Sequence, residues 1–163
     1  MGCGGCNGWT DESRLFAEIY PTLRRFAAAV TSLDADPDDL VQEAVVRALR
    51  RGALSDLDDA TSFLCRIIVN LARNHHRDTA RRTAILRRSR PDTSTSDVYP
   101  SEFIDLSRLT VDQRAVVFLR FVEQATTHDI AVLLDLREDA VRSRISRALK
   151  ALRIEAEEQR TKP

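Results

Sequence analysis

The sequence predicts an all-α protein built from two small helical domains that are joined by a flexible linker. Five Gly and five Pro in 163 residues leave long stretches in which helices can run without interruption. Along those stretches apolar residues recur at spacings of three and four, the period of an amphipathic helix. Residues 91–108, by contrast, are rich in Pro, Ser, Thr and acids, as linkers are. We therefore expect a tail at 1–10, a first domain at 11–90, a linker at 91–108 and a second domain at 109–163.

The N-terminal segment is predicted to be a flexible tail followed by a long helix. Residues 1–10 are rich in Gly, and Cys3 and Cys6 have the C-x-x-C spacing of half a zinc site. A zinc site needs about four ligands, and no second pair follows, so two free thiols are the better interpretation and no metal is predicted. Apolar residues then mark one helix face across residues 12–31, where Pro21 is a candidate kink.

A second helix is predicted to begin at Asp36 and Pro37 and to continue to residue 51. Asp is a favoured N-cap, Pro is favoured in the first helical turn, and the acids that follow complement the helix dipole. The outward face of this helix is rich in acids and amides, which suits a basic protein partner and would repel DNA. For its first two acids, a solvated helix start is nearly as good an interpretation. The candidate contacts on this face are Asp38, Asp39, Gln42, Glu43 and Arg47.

The third helix is predicted over residues 59–78, and the segment around it is strongly basic. Residues 66–90 contain eight Arg and one acid, whereas residues 34–59 contain eight acids and three Arg. Guanidinium groups can hold the phosphates of a nucleic acid, and amides can bond to base edges. The sequence therefore predicts a nucleic-acid surface on this helix. Its candidate contacts are Arg66, Asn70, Arg73, Asn74 and Arg77.

The second domain opens with a capping box, which is an N-terminal signature of helices. Thr110 and Gln113 have the spacing of this motif, and the helix that follows is predicted over residues 111–123. A shorter helix comes next, with Thr126 or Thr127 as its N-cap.

The last helix of the second domain has an apolar back and a basic front. A break at residues 135–137 precedes it, and Val141, Ile145, Leu149 and Leu152 are spaced so that they share one face. A short helix, a short turn and a longer basic helix are typical of a DNA-reading helix-turn-helix. Periodicity alone does not distinguish this motif from a helical hairpin with a solvated basic face. The candidate DNA contacts are Arg137, Glu138, Ala140, Arg142, Ser143, Arg144 and Arg147.

Composition and charge exclude several classes of protein. The formal net charge is zero, with 25 basic and 25 acidic residues, so no global field draws the chain onto nucleic acid. No stretch approaches the roughly 20 apolar residues that span a bilayer, and the N-terminus lacks the pattern of a signal peptide. An odd number of Cys fits a reducing compartment, so we expect a soluble, cytoplasmic protein. No phosphate loop, pair of acids or nucleophile–base spacing stands out, and the sequence predicts neither an enzyme nor a cofactor.

Four segments of the chain together carry a family resemblance. DDLVQE occupies residues 38–43 and is followed by Arg47, and FLCRIIVNLARN occupies residues 63–74. LTVDQR begins at Leu109, and the last helix supplies VRSRI at residues 141–145. In this order, and with a linker between the pairs, the motifs resemble the extracytoplasmic-function (ECF) group of bacterial RNA polymerase sigma factors. The resemblance covers nearly everything between Leu15 and Arg153.

The resemblance implies a role for each set of candidate residues. Family region 2.2, at residues 38–47 here, docks on the clamp helices of the polymerase. Regions 2.3 and 2.4, at residues 63–74, open and read the minus-10 promoter element, and the loop at residues 55–58 lies where an extruded base would be read. Region 4.2, within residues 130–148, reads the minus-35 element. The implied partners are core RNA polymerase, promoter DNA and an anti-sigma factor.

Two departures from the family pattern fall in the helix-turn-helix. Asp135 stands where the family usually has Gly, and Asp can adopt the left-handed conformation that such a turn needs. Arg137 stands where a Ser often caps the recognition helix, and it has no side-chain acceptor for that cap. We expect these changes to alter the geometry of the motif and its DNA sequence preference more than the fold.

Two other functions stay open from the sequence alone. A helix-turn-helix regulator that acts without core polymerase would explain the second domain, but it would leave the acidic second helix and the basic third helix without a role. A protein-only interaction module would use the charged helices for protein contacts, and any DNA binding would then not depend on Arg142 or Arg144. The sigma factor is the function that uses all of these elements.

Overall fold

The part of the chain that the computed structural model describes is helical and contains no strand, which confirms the predicted fold class. None of its helices is long and apolar enough to cross a membrane. Cys3 and nearly all of the predicted linker lie outside the described residues. The backbone is described for residues 6–31, 35–89, 106 and 108–160, and the side chains for residues 11–31, 35–82, 106 and 108–153.

Three long helices form the first half of the molecule: α1 (Cys6–Val30), α2 (Pro37–Leu49) and α3 (Ala60–Ser89). The flexible tail that we expected over residues 1–10 is wrong for residues 6–10, which belong to α1. A helix adds one hydrogen bond for each residue fixed once it has begun. The amphipathic stretch that follows therefore supports a first turn that its own composition would not start.

The start of α2 and the loop after it are fixed by side-chain bonds to the backbone. The Asp38 N–H donates to the Asp36 carboxylate at 2.8 Å, and Pro37 occupies the first helical position, which confirms the predicted start. A short 3-10 turn, Leu54–Asp56, lies in the predicted loop. Its Leu54 N–H donates to the Glu12 carboxylate at 2.7 Å, so α1 holds the loop in place.

Three further helices form the second half: α4 (Val111–Phe121), α5 (Thr127–Leu134) and α6 (Glu138–Arg160). The predicted capping box of Thr110 and Gln113 is present at the start of α4. Thr126, one of the two predicted caps, is the N-cap of α5, and it forms a second capping box with Asp129. Each box satisfies backbone N–H groups that a helix start leaves without partners.

The buried face of α6 is rotated relative to the prediction. Val141 and Ala148 are fully buried and Ile145 is partly buried, whereas Leu149 is 43% exposed. Ala148 follows Val141 by about two complete turns, while Leu149 lies roughly 80° farther around the helix. Equal spacing by fours drifts around a helix of 3.6 residues per turn, which is why the prediction for Leu149 is wrong.

The two halves pack against each other on one continuous core. Helix α1 contacts α4, and α3 contacts both α4 and α5. At the centre of this contact the rings of Phe26 and Phe118 meet nearly edge to face, with centroids 5.9 Å apart and planes at 65°. The sequence predicts the two halves, but it does not predict that they share a core.

Candidate polymerase-binding and nucleic-acid surfaces

A groove between α2 and α3 brings together most of the predicted polymerase-binding residues. Its acids and amide come from α2, and Leu71 and His75 are contributed by α3. The apolar side chain of Val46 is 43% exposed there. Acids around an exposed apolar side chain suit a partner that is basic and partly apolar. This α2–α3 groove is lined by Asp39, Gln42, Glu43, Val46, Arg47, Leu71 and His75.

Asp38 is the predicted polymerase contact that the structure places elsewhere. Its carboxylate accepts hydrogen bonds from the Tyr20 hydroxyl at 2.5 Å and from the Arg24 guanidinium at 3.0 Å, both on α1. The bond from Tyr20, followed by that from Arg24, holds the pKa of Asp38 below its ordinary value. Asp38 therefore joins α2 to α1, and the α2–α3 groove does not include it.

A second depression, which we term the arginine depression, lies between the C-terminal end of α2 and the first turns of α3. Two of the predicted DNA contacts, Arg66 and Asn70, belong to it. The Arg51 guanidinium carbon lies 6.0 Å from the centroid of the Phe63 ring, within cation–π range. Basic groups around an aromatic ring are suited to phosphates and an unstacked base. The depression is lined by Arg47, Arg50, Arg51, Phe63, Arg66, Ile67 and Asn70.

Three residues of the arginine depression are absent from the predicted DNA contacts. Arg50 and Arg51 end the acidic helix, so their charge is outweighed in any average over that segment. Phe63 is read from the sequence as part of an apolar run. A basic pair at a helix end, followed across a short loop by an aromatic residue in a basic helix, is the signal that would have found them.

The predicted amide contacts on α3 are already hydrogen-bonded to arginines one turn away. The Asn70 carbonyl accepts a bond from Arg73 at 2.9 Å, and the Asn74 carbonyl accepts one from Arg77 at 2.6 Å. Each amide keeps its NH₂ group as a donor. The predicted bidentate contact to a base edge needs both the donor and the acceptor, so these arginines would have to move away.

Arg73 differs from the other predicted contacts on α3 because it reaches the second half. Its Nε donates to a carboxylate oxygen of Asp112 at 2.9 Å, and its Nη2 bonds to the same oxygen. Asp112 lies in the first turn of α4. In this arrangement Arg73 is engaged by protein and does not face outward for DNA.

The turn between α5 and α6 has the geometry that a helix-turn-helix requires. Asp135 has φ 54° and ψ 55°, the left-handed conformation considered for this position. The Leu136 N–H donates to the Ala131 carbonyl at 2.8 Å, which closes the end of α5 as in a Schellman motif. The Ala140 and Val141 N–H groups both donate to the Arg137 carbonyl, so α6 starts there without a side-chain cap.

The predicted minus-35 contacts on α6 are exposed, but several are paired with one another. Arg142 bonds to Glu138 at 3.2 Å and also to Asp139, so acids in the first turn neutralise part of the basic face. Bonds from His128 and Arg142 hold the pKa of Glu138 below its ordinary value. Arg137, by contrast, has a side chain that is 89% exposed at the helix start, where base edges are reached first.

Two further predicted contacts on α6 differ in their exposure. Arg147 lies on the outer face and donates to the Ser143 hydroxyl at 2.7 Å. Arg144 is partly buried, and its Nη1 atom is buried without a hydrogen-bond partner among the described residues. Because Arg144 lies toward the packed side of α6, a substitution there will change packing as well as any DNA contact.

Two family models match the chain in the order of its two halves. Residues 15–82 match the model described as Sigma-70 region 2, and residues 106–152 match the model described as Sigma-70, region 4. The first match covers most of α1 to α3 with both depressions. The second covers α4, α5 and the helix-turn-helix.

Curated relatives match over most of the chain. The ECF RNA polymerase sigma factor SigM of Mycobacterium tuberculosis is 32% identical over 149 residues, which covers 83% of this chain and 71% of the relative. The RNA polymerase sigma-E factor of Streptomyces avermitilis is 30% identical over 142 residues, which covers 83% and 79%.

A solved structure has the same fold. It is the sigma factor RpoE of Bartonella quintana, crystallised with the anti-sigma factor NepR, and the match has a TM-score of 0.60 at 21% identity over 87% of this chain and 94% of that chain. Together with the two family models and the curated relatives, this places the molecule. The chain belongs to the ECF group of the sigma-70 family of RNA polymerase sigma factors.

Proposed function

We propose that this chain binds core RNA polymerase in the cytoplasm and directs it to promoters whose minus-10 and minus-35 elements it recognises with its two halves. The observation that carries the residue assignments is that α2 borders two depressions of opposite character. The α2–α3 groove is acidic and partly apolar, whereas the arginine depression is basic and aromatic. Arg47 lines both. One helix can therefore hold polymerase on one side and a separated DNA strand on the other.

The polymerase contact is assigned to the α2–α3 groove. Gln42 and Glu43 supply its polar part and Val46 its exposed apolar part. Glu43 is paired with Arg47 at 2.7 Å, and both side chains are about half exposed. Exposed pairs of this kind contribute little to stability, so a basic partner can replace Arg47 at small cost. Asp38 has a structural role in this proposal.

The minus-10 contact is assigned to the arginine depression. Arg50, Arg51 and Arg66 are placed to hold backbone phosphates, and the ring of Phe63 can stack on an unpaired base. The NH₂ group of Asn70 remains available as a donor to a base edge. The chain performs no bond-making chemistry in this role; the free energy of binding the open strand favours promoter opening.

The minus-35 contact is assigned to the start and outer face of α6. Arg137 and Arg147 are the exposed members of the predicted set. Arg142 has to exchange its carboxylate partners for DNA, which reduces its net contribution. We further propose an anti-sigma partner for this chain, by analogy with the sigma factor of Bartonella quintana, which was solved with one.

The test is run-off transcription with core polymerase on a library of promoter fragments, with and without the purified chain. We expect transcripts that start only when the chain is present. Glu43→Arg should abolish them, because it places a positive charge in the acidic groove. Glu18→Arg is the matched control, since it makes the same charge change at an exposed position of α1 outside both depressions; it should leave transcription intact.

Two outcomes would overturn the proposal. If no transcripts appear, but the chain shifts duplex DNA and loses this activity with Arg137→Ala, it is a regulator that acts without polymerase. If neither activity appears with any promoter of the library, the charged helices serve protein contacts alone. The Arg137 variant is preferred to an Arg144 variant because its side chain is almost fully exposed, so loss of binding cannot come from lost packing.

A further inference from the structure

The contact between the two halves includes a DNA-binding candidate that is held by an acid. Arg73 of α3 bonds to Asp112 of α4. The side chains are 40% and 33% exposed, so the pair lies at the edge of the contact. A carboxylate binds a guanidinium group with the same geometry as a phosphate does. Asp112 therefore occupies the position on Arg73 that a DNA phosphate would take.

A buried arginine secures the same contact from the other side. Arg114 of α4 is 4% exposed, and its Nη1 donates to the Thr31 carbonyl at 2.7 Å and weakly to the Val30 carbonyl at 3.5 Å. Its Nε donates to the Leu109 carbonyl at 3.0 Å. The carbonyls at the end of α1 form the negative end of that helix dipole. A cation from the second half thus satisfies the end of a helix in the first half.

Further charge pairing and apolar packing complete the contact. Arg25 of α1 lies 3.1 Å from Glu123 at the end of α4. Phe26 and Phe118 pack between these polar groups and the core. Helix α5, the first helix of the helix-turn-helix, lies against α3. The DNA-reading parts of both halves are therefore tied to one another and cannot separate along DNA while the contact lasts.

We propose that the free chain is autoinhibited by this contact, in which Asp112 masks Arg73 and the second half holds α3 away from DNA. DNA binding then requires the halves to open. The inference rests on the proposed function in one respect, the role of Arg73 as a minus-10 contact. It requires no second protein, because every group that closes the molecule belongs to this chain.

The size of the effect follows from the exposure of the pairs. A partly exposed ion pair changes an equilibrium by roughly two- to fivefold. Removing the carboxylates of Asp112 and Glu123 together should increase the open population by about three- to tenfold. When only the open form binds, the apparent Kd falls by the same factor.

The experiment compares the full chain with an Asp112→Asn/Glu123→Gln variant. Spin labels at Ala17→Cys on α1 and Lys150→Cys on α6, both exposed positions, report the distance between the halves after Cys3→Ser and Cys6→Ser. Fluorescein-labelled oligothymidylate reports binding of single-stranded DNA. An Asp11→Asn/Glu18→Gln variant removes the same two negative charges from the exposed side of α1 and is the matched control.

We expect a short label distance in the unmodified chain and in the control, and a longer, broader distribution in the Asp112 and Glu123 variant. That variant should bind oligothymidylate about three- to tenfold more tightly, and the control should not. Identical distances and affinities in all three chains would overturn the proposal. A longer distance with unchanged affinity would overturn the masking of Arg73. Neither readout uses polymerase, so failure of the run-off experiment would count against the proposed function alone.

Discussion

Phe63 combines two contacts that separate in their consequences. The side chain packs partly against the core, and its ring lies beneath the Arg51 guanidinium. We expect Phe63→Ala to weaken binding of single-stranded promoter DNA by about 1–3 kcal/mol, the contribution of stacking one base on an aromatic ring. Fluorescence anisotropy with a minus-10 oligonucleotide measures this. Phe63→Leu keeps apolar volume without the ring, so equal affinity of the Leu variant and the unmodified chain would contradict a stacking role.

Cys65 shows how burial changes a titratable group. The thiol is 1% exposed, and burial raises its pKa to about 12, with the charges of Asp59 and Glu123 adding to the effect. Since the ordinary value is 9.0, the native chain keeps its thiol proton between pH 9 and 12 while the unfolded chain loses it. Stability should therefore fall as pH rises above 9, by about 1.4 kcal/mol per pH unit from this group.

Urea unfolding at pH 8 and pH 10.5 measures this slope. Cys65→Ala is the control, since it removes the titrating group and should flatten the pH dependence although it lowers stability at both values. In a background without Cys3 and Cys6, iodoacetamide should modify Cys65 at pH 8 only after urea is added. Rapid modification of the native chain would contradict both the burial and the raised pKa.

Among the elements, α5 depends most visibly on its cap. It spans Thr127–Leu134, and helices this short are marginal without such support. The Thr126 hydroxyl accepts a bond from the Asp129 N–H at 3.1 Å, so Thr126→Ala should cost about 1 kcal/mol of stability. Urea unfolding followed by circular dichroism measures the loss. Thr127→Ala makes the same chemical change one position later and should cost less; equal losses would mean that the capping bond is unimportant.

Helix starts were the features most readily predicted from the sequence. Asp36 with Pro37, and Thr110 with Gln113, are local patterns in which neighbouring residues satisfy each other. The start of α1 was not predictable in this way, because it depends on propagation from later residues. The exposure of Leu149 was missed because spacing by fours approximates the helical period over two turns and fails over a longer stretch.

The candidate site was predicted by composition but not by geometry. The sequence identified Gln42 and Glu43 on α2 and Arg66 and Asn70 on α3, and the structure brings each pair into one depression. It could not show that Asp38 bonds to α1, since that bond joins residues 18 positions apart. Partners at such distances in the chain leave no periodic signature, so an outward-facing acid and an inter-helix tie look alike.

At the scale of the whole molecule, the shared core should make the two halves unfold together. Phe26 is 1% exposed and lies against Phe118, so Phe26→Ala should cost about 3–5 kcal/mol. Hydrogen exchange should then increase in α2 and α5 alike. A double-mutant cycle with Phe118→Ala should give a coupling of about 0.5–1.5 kcal/mol. Zero coupling, or loss of protection in α2 alone, would contradict the shared core.

This packing could not be predicted, because each half has an apolar face that its own helices can cover. The polar segment at residues 91–108 also indicates separation. Arg114 was the least predictable group, since a cation is rarely buried and its acceptors, the carbonyls of Val30 and Thr31, are backbone atoms of a distant helix. Only the assembled structure supplies the three acceptors that make its burial tolerable.

The Arg114 and Phe26 contacts join two halves of a single chain, and this sets how strong they need to be. A covalent connection gives each half a local concentration of the other on the order of millimolar. At that concentration an interface with a Kd of about 1 mM, or roughly 4 kcal/mol of association free energy, leaves half of the molecules apart. The tether thus lets a weak interface act as a sensitive one: a competitor that contributes about 1.4 kcal/mol shifts the balance tenfold.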